Sequence, residues 1–209
     1  MMIIILKSET VMRYDTEHKQ KTRAMVLQAA AKAIRADGPD RVAVAGVMAE
    51  AGLTHGGFYA HFKSKDELVA AAIGQMFEEA RARWERETAE RGPADGLVAY
   101  IDFYLSKKHR DARGFGCPMA ALASDLPRLS EPAREQFADG VQRSTARLGE
   151  QLAALGHAAA EVEARSMIAE LIGALSLARI EPDAKRSDAI LAASRKQLKQ
   201  RLGLEARQP

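Results

Sequence analysis

Apolar side chains recur along most of the chain at intervals of three or four residues, the spacing that places them on one face of an α-helix. No stretch alternates between apolar and polar residues as a β-strand would. The sequence therefore predicts an all-α fold of about nine helices. The predicted helices cover residues 16–36, 44–51, 55–62, 64–90, 97–110, 119–124, 131–155 and 159–180, and a last helix starts at Ser187.

The second and third of these helices are short and adjacent. Gly52 between them can adopt the left-handed conformation that ends a helix, and the Thr54 hydroxyl can cap the next one. The later helix has mainly Phe58 and Phe62 as apolar anchors, whereas its other residues are small or polar. A helix of this composition is suited to present a surface to a partner, which is typical of a helix-turn-helix.

A long helix follows this motif directly. Ser64 and Glu67 have the Ser-x-x-Glu spacing of a capping box, which predicts that the helix starts there and runs to about Glu90. This helix is therefore expected to connect the helix-turn-helix to the rest of the chain.

The positive charge of the chain is concentrated near the helix-turn-helix. The whole sequence carries 31 Lys and Arg against 28 Asp and Glu. Through Asp66 the counts are ten against seven, and between Lys19 and Lys65 they are eight against three. The residues after Asp66 carry 21 of each kind, so that part of the chain is balanced. Lys19, Lys21 and Arg23 also occupy the first turns of the first helix, where the helix dipole favours acidic residues. A basic surface beside this motif indicates a polyanion as partner.

The cysteine content and the start of the chain set the expected environment. Cys117 is the single cysteine, so the chain has no internal disulfide, and a reducing cytoplasm is the expected location. The apolar start at residues 1–6 is too short for a signal peptide core, and no later run reaches membrane-spanning length, so we expect no membrane partner. Met12 offers an alternative start, and residues 1–15 are expected to form a disordered leader.

No motif of enzyme chemistry is present in the sequence. The five histidines are scattered without the paired spacing of metal ligands, and no phosphate-binding glycine loop or catalytic serine elbow occurs. We therefore expect no catalytic residue, no bound metal and no cofactor. Two alternatives remain open: a helical enzyme or binding module that keeps the helix-turn-helix for protein contact alone, and a sensor of oxidants or electrophiles that uses Cys117 beside the cations of residues 107–113. An inert, small, partly buried cysteine is the more common case and the one we expect for Cys117.

The stretch from Ala51 to Leu68, AGLTHGGFYAHFKSKDEL, resembles the DNA-binding domain of TetR/AcrR-type transcriptional regulators. The resemblance extends over about residues 19–72. It implies a helix-turn-helix DNA-binding domain at 16–64, followed by a helical ligand-binding and dimerisation domain at 65–205. It also implies a homodimer that binds a palindromic double-stranded DNA operator, most often as a repressor, and releases it when an unidentified small-molecule effector binds.

Ten residues are expected to contact DNA by this resemblance. The short polar and glycine positions of the second motif helix should face the major groove, and the aromatic and basic positions should reach phosphates. The two glycines could instead relieve crowding against the neighbouring helix, and this alternative remains open. The expected DNA-binding residues are Lys19, Arg23, Thr54, His55, Gly56, Gly57, Tyr59, His61, Lys63 and Lys65.

The resemblance also implies a ligand pocket in the helical body. Aromatic residues and methionine at helical spacing are candidates for its wall, although the same spacing fits ordinary core packing. The candidate pocket residues are Trp84, Tyr100, Phe103, Tyr104, Phe115, Cys117, Met119 and Phe137.

The last two helices are the expected dimer interface. The helix over 159–180 is apolar on two sides between Met167 and Leu177, so it needs two packing partners. The family resemblance implies that a second copy of the chain is one of them. The expected interface residues are Ile168, Leu171, Ile172, Leu175, Ile190, Leu191, Ser194 and Leu198.

Two positions depart from the usual pattern of the family. Ala43 stands where a Thr or Ser commonly caps the first helix of the motif, and Met48 stands where a small residue is common at the crossing of the two helices. The missing cap should weaken that helix by on the order of 1 kcal/mol. Neither departure removes an expected DNA contact.

Overall fold

The computed structural model describes residues 2–205, with side chains for residues 17–205. Over that range the chain forms nine α-helices and three short 3-10 helices and has no β-strand, which confirms the predicted all-α class. None of the helices in this part of the chain is long and apolar enough to cross a membrane. The α-helices are α1 (Met2–Asp37), α2 (Val44–Glu50), α3 (Lys65–Thr88), α4 (Pro93–Tyr104), α5 (Lys107–Asp111), α6 (Pro118–Leu122), α7 (Glu131–Ala154), α8 (Ala160–Ile180) and α9 (Ala184–Arg201), and the 3-10 helices are His55–Ala60, Arg113–Phe115 and Leu126–Arg128.

The N-terminal part, here called the head (residues 17–64), is built on α1. Val26, Ala30 and Ile34 follow the helical period along α1 and are buried. α1 packs against α2 and against the start of the body at α3, and α2 packs against the 3-10 helix His55–Ala60. The apolar residues of α1 therefore fix the position of the short helices that follow it.

The helical body (residues 65–205) begins with α3. Leu68, Ile73 and Met76 of this helix are fully buried. α3 packs against α1, and it also packs against α4 and α7 of the body. One helix thus joins the head to the body, as the capping box predicted.

The central helix of the body is α8. It packs along α7 and along α9, and Met167, Leu171 and Leu175 are buried in these contacts or beside them. The two packing partners that its sequence pattern requires are therefore present within a single chain.

Two helix starts differ from the predicted ones. α1 begins at Met2 rather than near Thr16; Met1 and the side chains of residues 2–16 lie outside the described residues, so the disordered leader stays a prediction. α9 begins at Ala184 because the Asp183 carboxylate caps it by accepting the Arg186 N–H at 2.8 Å.

Ser187, the predicted start of the last helix, lies inside α9 and is buried. Its hydroxyl donates to the Ala178 carbonyl at 2.6 Å and accepts a hydrogen bond from Arg110 at 2.7 Å. The serine therefore joins α9 to α8 and α5 instead of capping a helix.

The predicted helix over 97–110 is divided into α4 and α5. The chain leaves the helical conformation at Leu105 and Ser106, and the Ser106 hydroxyl accepts the His109 N–H at 3.1 Å. Serine is favoured at an N-cap because its side chain satisfies a free backbone N–H, so Ser106 starts a new helix where the apolar pattern alone continued.

Candidate nucleic-acid interface and interior cavity

The turn after α2 is a Schellman motif. Gly52 has a φ of +72°, and its N–H donates to the Ala49 carbonyl at 3.0 Å. The Leu53 N–H donates to the Met48 carbonyl at 2.9 Å, which completes the bonding pattern of the motif. A side chain with a Cβ is strained at this φ, so the predicted left-handed glycine is confirmed.

The second helix of the motif, His55–Ala60, is a 3-10 helix rather than the predicted α-helix. The Gly57 N–H donates to the Thr54 carbonyl at 3.1 Å, which is a bond between residues three apart. Adjacent glycines have low helix propensity, and this favours a short irregular form. The predicted Thr54 cap is also wrong: Thr54 occupies the N-cap position, but its hydroxyl makes no capping bond. Ala43 before α2 has no side-chain cap either, as expected.

Two phenylalanines anchor the 3-10 helix to the head. Phe58 and Phe62 are buried, and their rings stack with centroids 5.8 Å apart. The Tyr59 ring meets the Phe58 ring edge-on with centroids 5.2 Å apart, but Tyr59 is 71% exposed. Thr54 and His55 at the start of the helix are also exposed. The polar side of the segment is therefore presented to solvent.

The two glycines of this segment have different surroundings. A Cβ built on Gly56 would meet nothing within 4 Å. A Cβ built on Gly57 would lie 3.6 Å from the Met48 Cε, which is an ordinary van der Waals contact. Crowding inside the protein therefore does not explain Gly56, and it gives only a weak reason for Gly57. The open surface at Gly56 is available for close approach of a partner.

Basic side chains lie beside the 3-10 helix. The Arg23 guanidinium of α1 lies 4.8 Å from the centre of the Phe62 ring, and Lys19 is exposed one turn earlier. Burial lowers the pKa of His61, and the positive charges of Lys19 and Arg23 lower it further. The His61 Nδ1 is buried without a hydrogen-bond partner among the described residues. An anion at this position would relieve the repulsion between the three groups.

The start of α3 is held by capping bonds. The Ser64 hydroxyl accepts the Glu67 N–H at 3.1 Å, as predicted. The Glu67 carboxylate accepts the N–H of Lys63 at 2.7 Å, one residue before the position expected for a capping box. Lys65 is partly buried and donates from Nζ to the Asp40 carbonyl at 3.2 Å, whereas the Lys63 side chain is exposed. Lys65 therefore also ties α3 to the loop after α1.

The body encloses a cavity of about 350 Å³, walled by α1, α3, α4, α7, α8 and the segment 109–119. Seven of the eight predicted pocket residues line it. The exception is Phe137, whose ring packs edge-on against Phe77 with centroids 5.5 Å apart. Trp84, the single tryptophan of the chain, meets Tyr100 in the wall with ring centroids 4.6 Å apart. The volume lies within the range of about 300–1,000 Å³ usual for small-molecule sites.

The sequence pattern did not predict the arginines of the cavity wall. Four arginines, Arg35, Arg83, Arg86 and Arg147, line the cavity. Arginine is common on exposed helix faces, so its presence on a predicted helix does not indicate a position in a cavity wall. No local signal in the sequence distinguishes Arg147 from Arg134 and Arg143, the exposed arginines of α7.

His109 connects the end of α4 to the segment before α6, beside the cavity. Its Nδ1 donates to the Tyr104 carbonyl at 2.7 Å, and its Nε2 accepts the Cys117 N–H at 3.1 Å. These two bonds fix the neutral tautomer. Burial lowers the pKa of His109 to about 4, so the imidazole is uncharged at neutral pH.

Cys117 lines the cavity as a buried thiol. It is 7% exposed, and burial raises its pKa. Two of the cations that could activate it, Lys107 and Arg110, pair with Asp188 at 2.6 and 2.8 Å. Burial disfavours a thiolate, which agrees with an inert buried cysteine and gives no support to a thiol of lowered pKa.

Most of the predicted dimer-interface residues belong to the core of a single chain. Ile172, Ile190 and Ser194 are half-buried. The others are covered by neighbouring helices of the same chain, so their side chains are not available to a second copy. These five are Ile168, Leu171, Leu175, Leu191 and Leu198.

The outward side of α8 carries a different set of apolar residues. Val162, Leu177 and Ile180 are 66%, 54% and 75% exposed. The exposed Ala169 and the half-buried Gly173 lie between them at intervals that keep all five on one face of the helix. A Cβ on Gly173 would meet nothing within 4 Å. This stripe is uncovered in the single chain.

The head resembles known regulators in sequence. Residues 26–72 match the family described as bacterial regulatory proteins, tetR family. Over 68 residues the chain is 37% identical to the HTH-type transcriptional regulator TtgR of Pseudomonas putida. It is also 37% identical over 68 residues to the probable HTH-type transcriptional regulator ArpR of the same species. Each match spans 32% of this chain and 32% of the relative, so it is confined to about a third of either protein.

Solved structures resemble nearly the whole chain. A TetR transcriptional regulator from Chloroflexus aurantiacus is 25% identical with a TM-score of 0.76, covering 90% of this chain and 96% of that one. The reduced form of E. coli NemR is 21% identical with a TM-score of 0.75, covering 86% of this chain and 96% of that one.

Fold and site together define a class: an all-α protein with an N-terminal helix-turn-helix and a helical body that encloses a cavity. Within this class, the Chloroflexus aurantiacus regulator shares its architecture over 90% of the chain. Residues 26–72 belong to the tetR family of bacterial regulatory proteins, and the chain shares its fold with solved TetR regulators.

Proposed function

We propose that this protein is a transcriptional repressor that binds a palindromic DNA operator as a homodimer and leaves it when a small molecule enters the cavity. The observation that carries the proposal is the exposed side of His55–Ala60, where Tyr59 points outward and Gly56 leaves an open surface. Basic residues flank this segment, and short polar groups are suited to base edges in the major groove. The ten expected DNA-binding residues thus keep that role as a proposal.

The exposed stripe on α8 supports the dimer. Leu177 and Ile180 are large apolar side chains on one helix face, and the bare Gly173 between the apolar positions permits close approach of a second helix. By the family resemblance, we expect a second copy packed on this face to place its head beside the first on the DNA. Such heads can read two half-sites about 34–36 Å apart, one turn of DNA.

Arg35 supports communication between the cavity and the head. Its Nε donates to the Gly114 carbonyl at 2.8 Å, and its guanidinium pairs with Glu79 of α3. Arg35 belongs to α1, so α1 of the head is joined to two parts of the cavity wall. A ligand that displaces Glu79 or the segment 113–116 would move α1 and change the spacing of the heads. The ligand shifts the equilibrium only as far as it prefers one arrangement over the other.

The two alternatives from the sequence have less support. Sensing of oxidants or electrophiles by an activated Cys117 lacks the low thiol pKa that it requires. A helical enzyme or separate binding module would leave the exposed glycine surface without a use, and the family of this chain consists of regulators. We therefore propose a regulatory function, with an unidentified small molecule as effector.

Removing one positive charge beside the 3-10 helix should weaken operator binding. We expect Lys19→Ala to reduce affinity for every DNA sequence and to lower the slope of log affinity against log salt by about one, because one phosphate contact is lost. The measurement is fluorescence anisotropy with DNA from the upstream region of the gene, over a range of salt concentrations. Lys185→Ala, which removes an exposed lysine from α9, is the matched control and should bind like the wild type. Absence of wild-type binding to this DNA at low salt would contradict the proposed function.

A charge on the α8 stripe should separate the dimer. Leu177→Glu is expected to shift the protein from dimer to monomer, since a carboxylate buried in an apolar interface loses its hydration without gaining a partner. Sedimentation velocity measures the change. Leu177→Met keeps an apolar side chain of similar volume and should stay dimeric. A dimeric Leu177→Glu protein would place the interface elsewhere.

A further inference from the structure

The cavity wall carries an excess of positive charge. It includes Arg35, Arg83, Arg86 and Arg147, and Glu79 is the one carboxylate among its lining residues. Glu79 is paired with Arg35. Arg83 has a carboxylate within reach outside the wall, Glu87 at 3.6 Å. The remaining arginines face the cavity without an acidic partner among the residues that line it.

Arg147 is the cation of the wall that most needs an anionic partner. It is partly buried on α7, and its hydrogen bond among the described residues runs from Nε to the Arg143 carbonyl at 3.2 Å. Burial lowers the pKa of Arg147, and the nearby Arg81 and Arg143 lower it further, while Tyr100 and Glu78 act in the opposite direction. A guanidinium remains protonated under all ordinary conditions. A partly desolvated cation without an ion-pair partner is costly, and an anionic ligand would supply that partner.

The rest of the wall is aromatic. Trp84 and Tyr100 meet edge to face, and the Arg83 guanidinium covers the Phe103 ring at 4.7 Å from its centre. Such rings favour a flat ligand that can stack on them or meet them edge-on. The Tyr104 hydroxyl is also buried in the wall, beside the Cys117 thiol. It provides a polar group for a ligand that penetrates deeply.

We propose that the cavity binds an aromatic carboxylate whose ring system packs against Trp84, Tyr100 and Phe103 and whose carboxylate pairs with Arg147. Carboxylate and guanidinium match in shape and form charge-assisted bonds. The cavity volume of about 350 Å³ admits a fused bicyclic ring. The binding site stands on the geometry of the wall, whereas the role of the ligand as effector rests on the proposed function.

The test compares two probes of the same shape and different charge, 2-naphthoate and 2-naphthamide, by isothermal titration calorimetry on the full chain. The wild type is expected to bind the naphthoate at least about tenfold more tightly, the effect of one charge-assisted bond. Arg147→Gln should reduce this preference to about twofold or less. Arg143→Gln is the matched control, because Arg143 is exposed one turn earlier on α7 and does not line the cavity. It should keep the preference of the wild type.

Arg147→Lys tests the role of charge separately from folding. It should retain part of the preference for the naphthoate, and thermal unfolding followed by circular dichroism should show that both Arg147 variants are folded. Equal affinity of the wild type for the two probes, no binding of either probe, or an undiminished preference in Arg147→Gln would overturn the proposal.

Parallel measurements of operator binding keep this inference separate from the proposed function. Naphthoate binding by a protein that does not bind its upstream DNA would overturn the proposed function and support the site. Operator binding by a protein that binds neither probe would support the proposed function and overturn the proposed site.

Discussion

Gly56→Leu is expected to weaken operator binding on the order of a hundredfold, because a large side chain would stand between the 3-10 helix and the base edges. The protein itself has room for the new side chain, since a Cβ at this position meets nothing within 4 Å. The midpoint of thermal unfolding should therefore stay the same or rise slightly, as leucine replaces a residue of low helix propensity. Anisotropy with operator DNA and circular dichroism on the same sample measure the two quantities.

Gly92→Leu is the control for this substitution. Gly92 is also exposed, a Cβ added to it would meet nothing within 4 Å, and it lies between α3 and α4, away from the head. The affinity of this variant for the operator should match that of the wild type. Unimpaired operator binding by Gly56→Leu would mean that the open glycine surface does not face DNA, which would leave the proposed recognition segment without its main support.

Gly140→Ala is expected to lower the free energy of unfolding by about 2 kcal/mol, within the range of overpacked cores. Gly140 is buried on α7, and a Cβ there would overlap the ring of Phe77. That ring is itself buried and meets Phe137 edge-on, so it has little freedom to retreat. The gain in helix propensity, about 1 kcal/mol, offsets only part of the strain.

Urea denaturation followed at the helical circular dichroism band measures this loss. Gly149→Ala on the same helix is the matched control, because its Cβ would lie 3.9 Å from its nearest neighbours. It should raise the free energy of unfolding by up to about 1 kcal/mol. Equal effects of the two substitutions would show that propensity, and not the Phe77 contact, governs this helix.

Local patterns in the sequence predicted the long helices well. The periodic apolar residues of α3, α7 and α8 gave bounds within a few residues of those in the structure. Capping side chains were harder to assign, because several candidates lie close together. Ser64 caps α3 as predicted, but Asp183 rather than Ser187 caps α9.

The identity of packing partners could not be predicted from the same patterns. The apolar faces of α8 indicate that two surfaces cover it, but periodicity does not say whether they belong to the same chain. Leu171 and Leu175 therefore looked like interface residues and are core residues. Leu177 and Ile180, which continue the apolar run, are the exposed ones.

The candidate site was predictable in part, for a similar reason. A motif that works through residues adjacent in sequence, such as the stretch around Gly56 and Tyr59, is visible in one segment. The cavity is assembled from distant segments, so its aromatic residues could be named while Arg147 on α7 could not. The pKa of Cys117 depends on burial, which no neighbouring residue in the sequence reveals.

The position of Trp84 makes its intrinsic fluorescence a probe of the cavity in the unmodified protein. It is the single tryptophan of the chain, and it lies in the cavity wall against Tyr100. All tryptophan emission therefore comes from one point in the body, far along α3 from the helix-turn-helix. Changes in its intensity or wavelength report on occupancy of the cavity, with no label attached and no competing signal from the head.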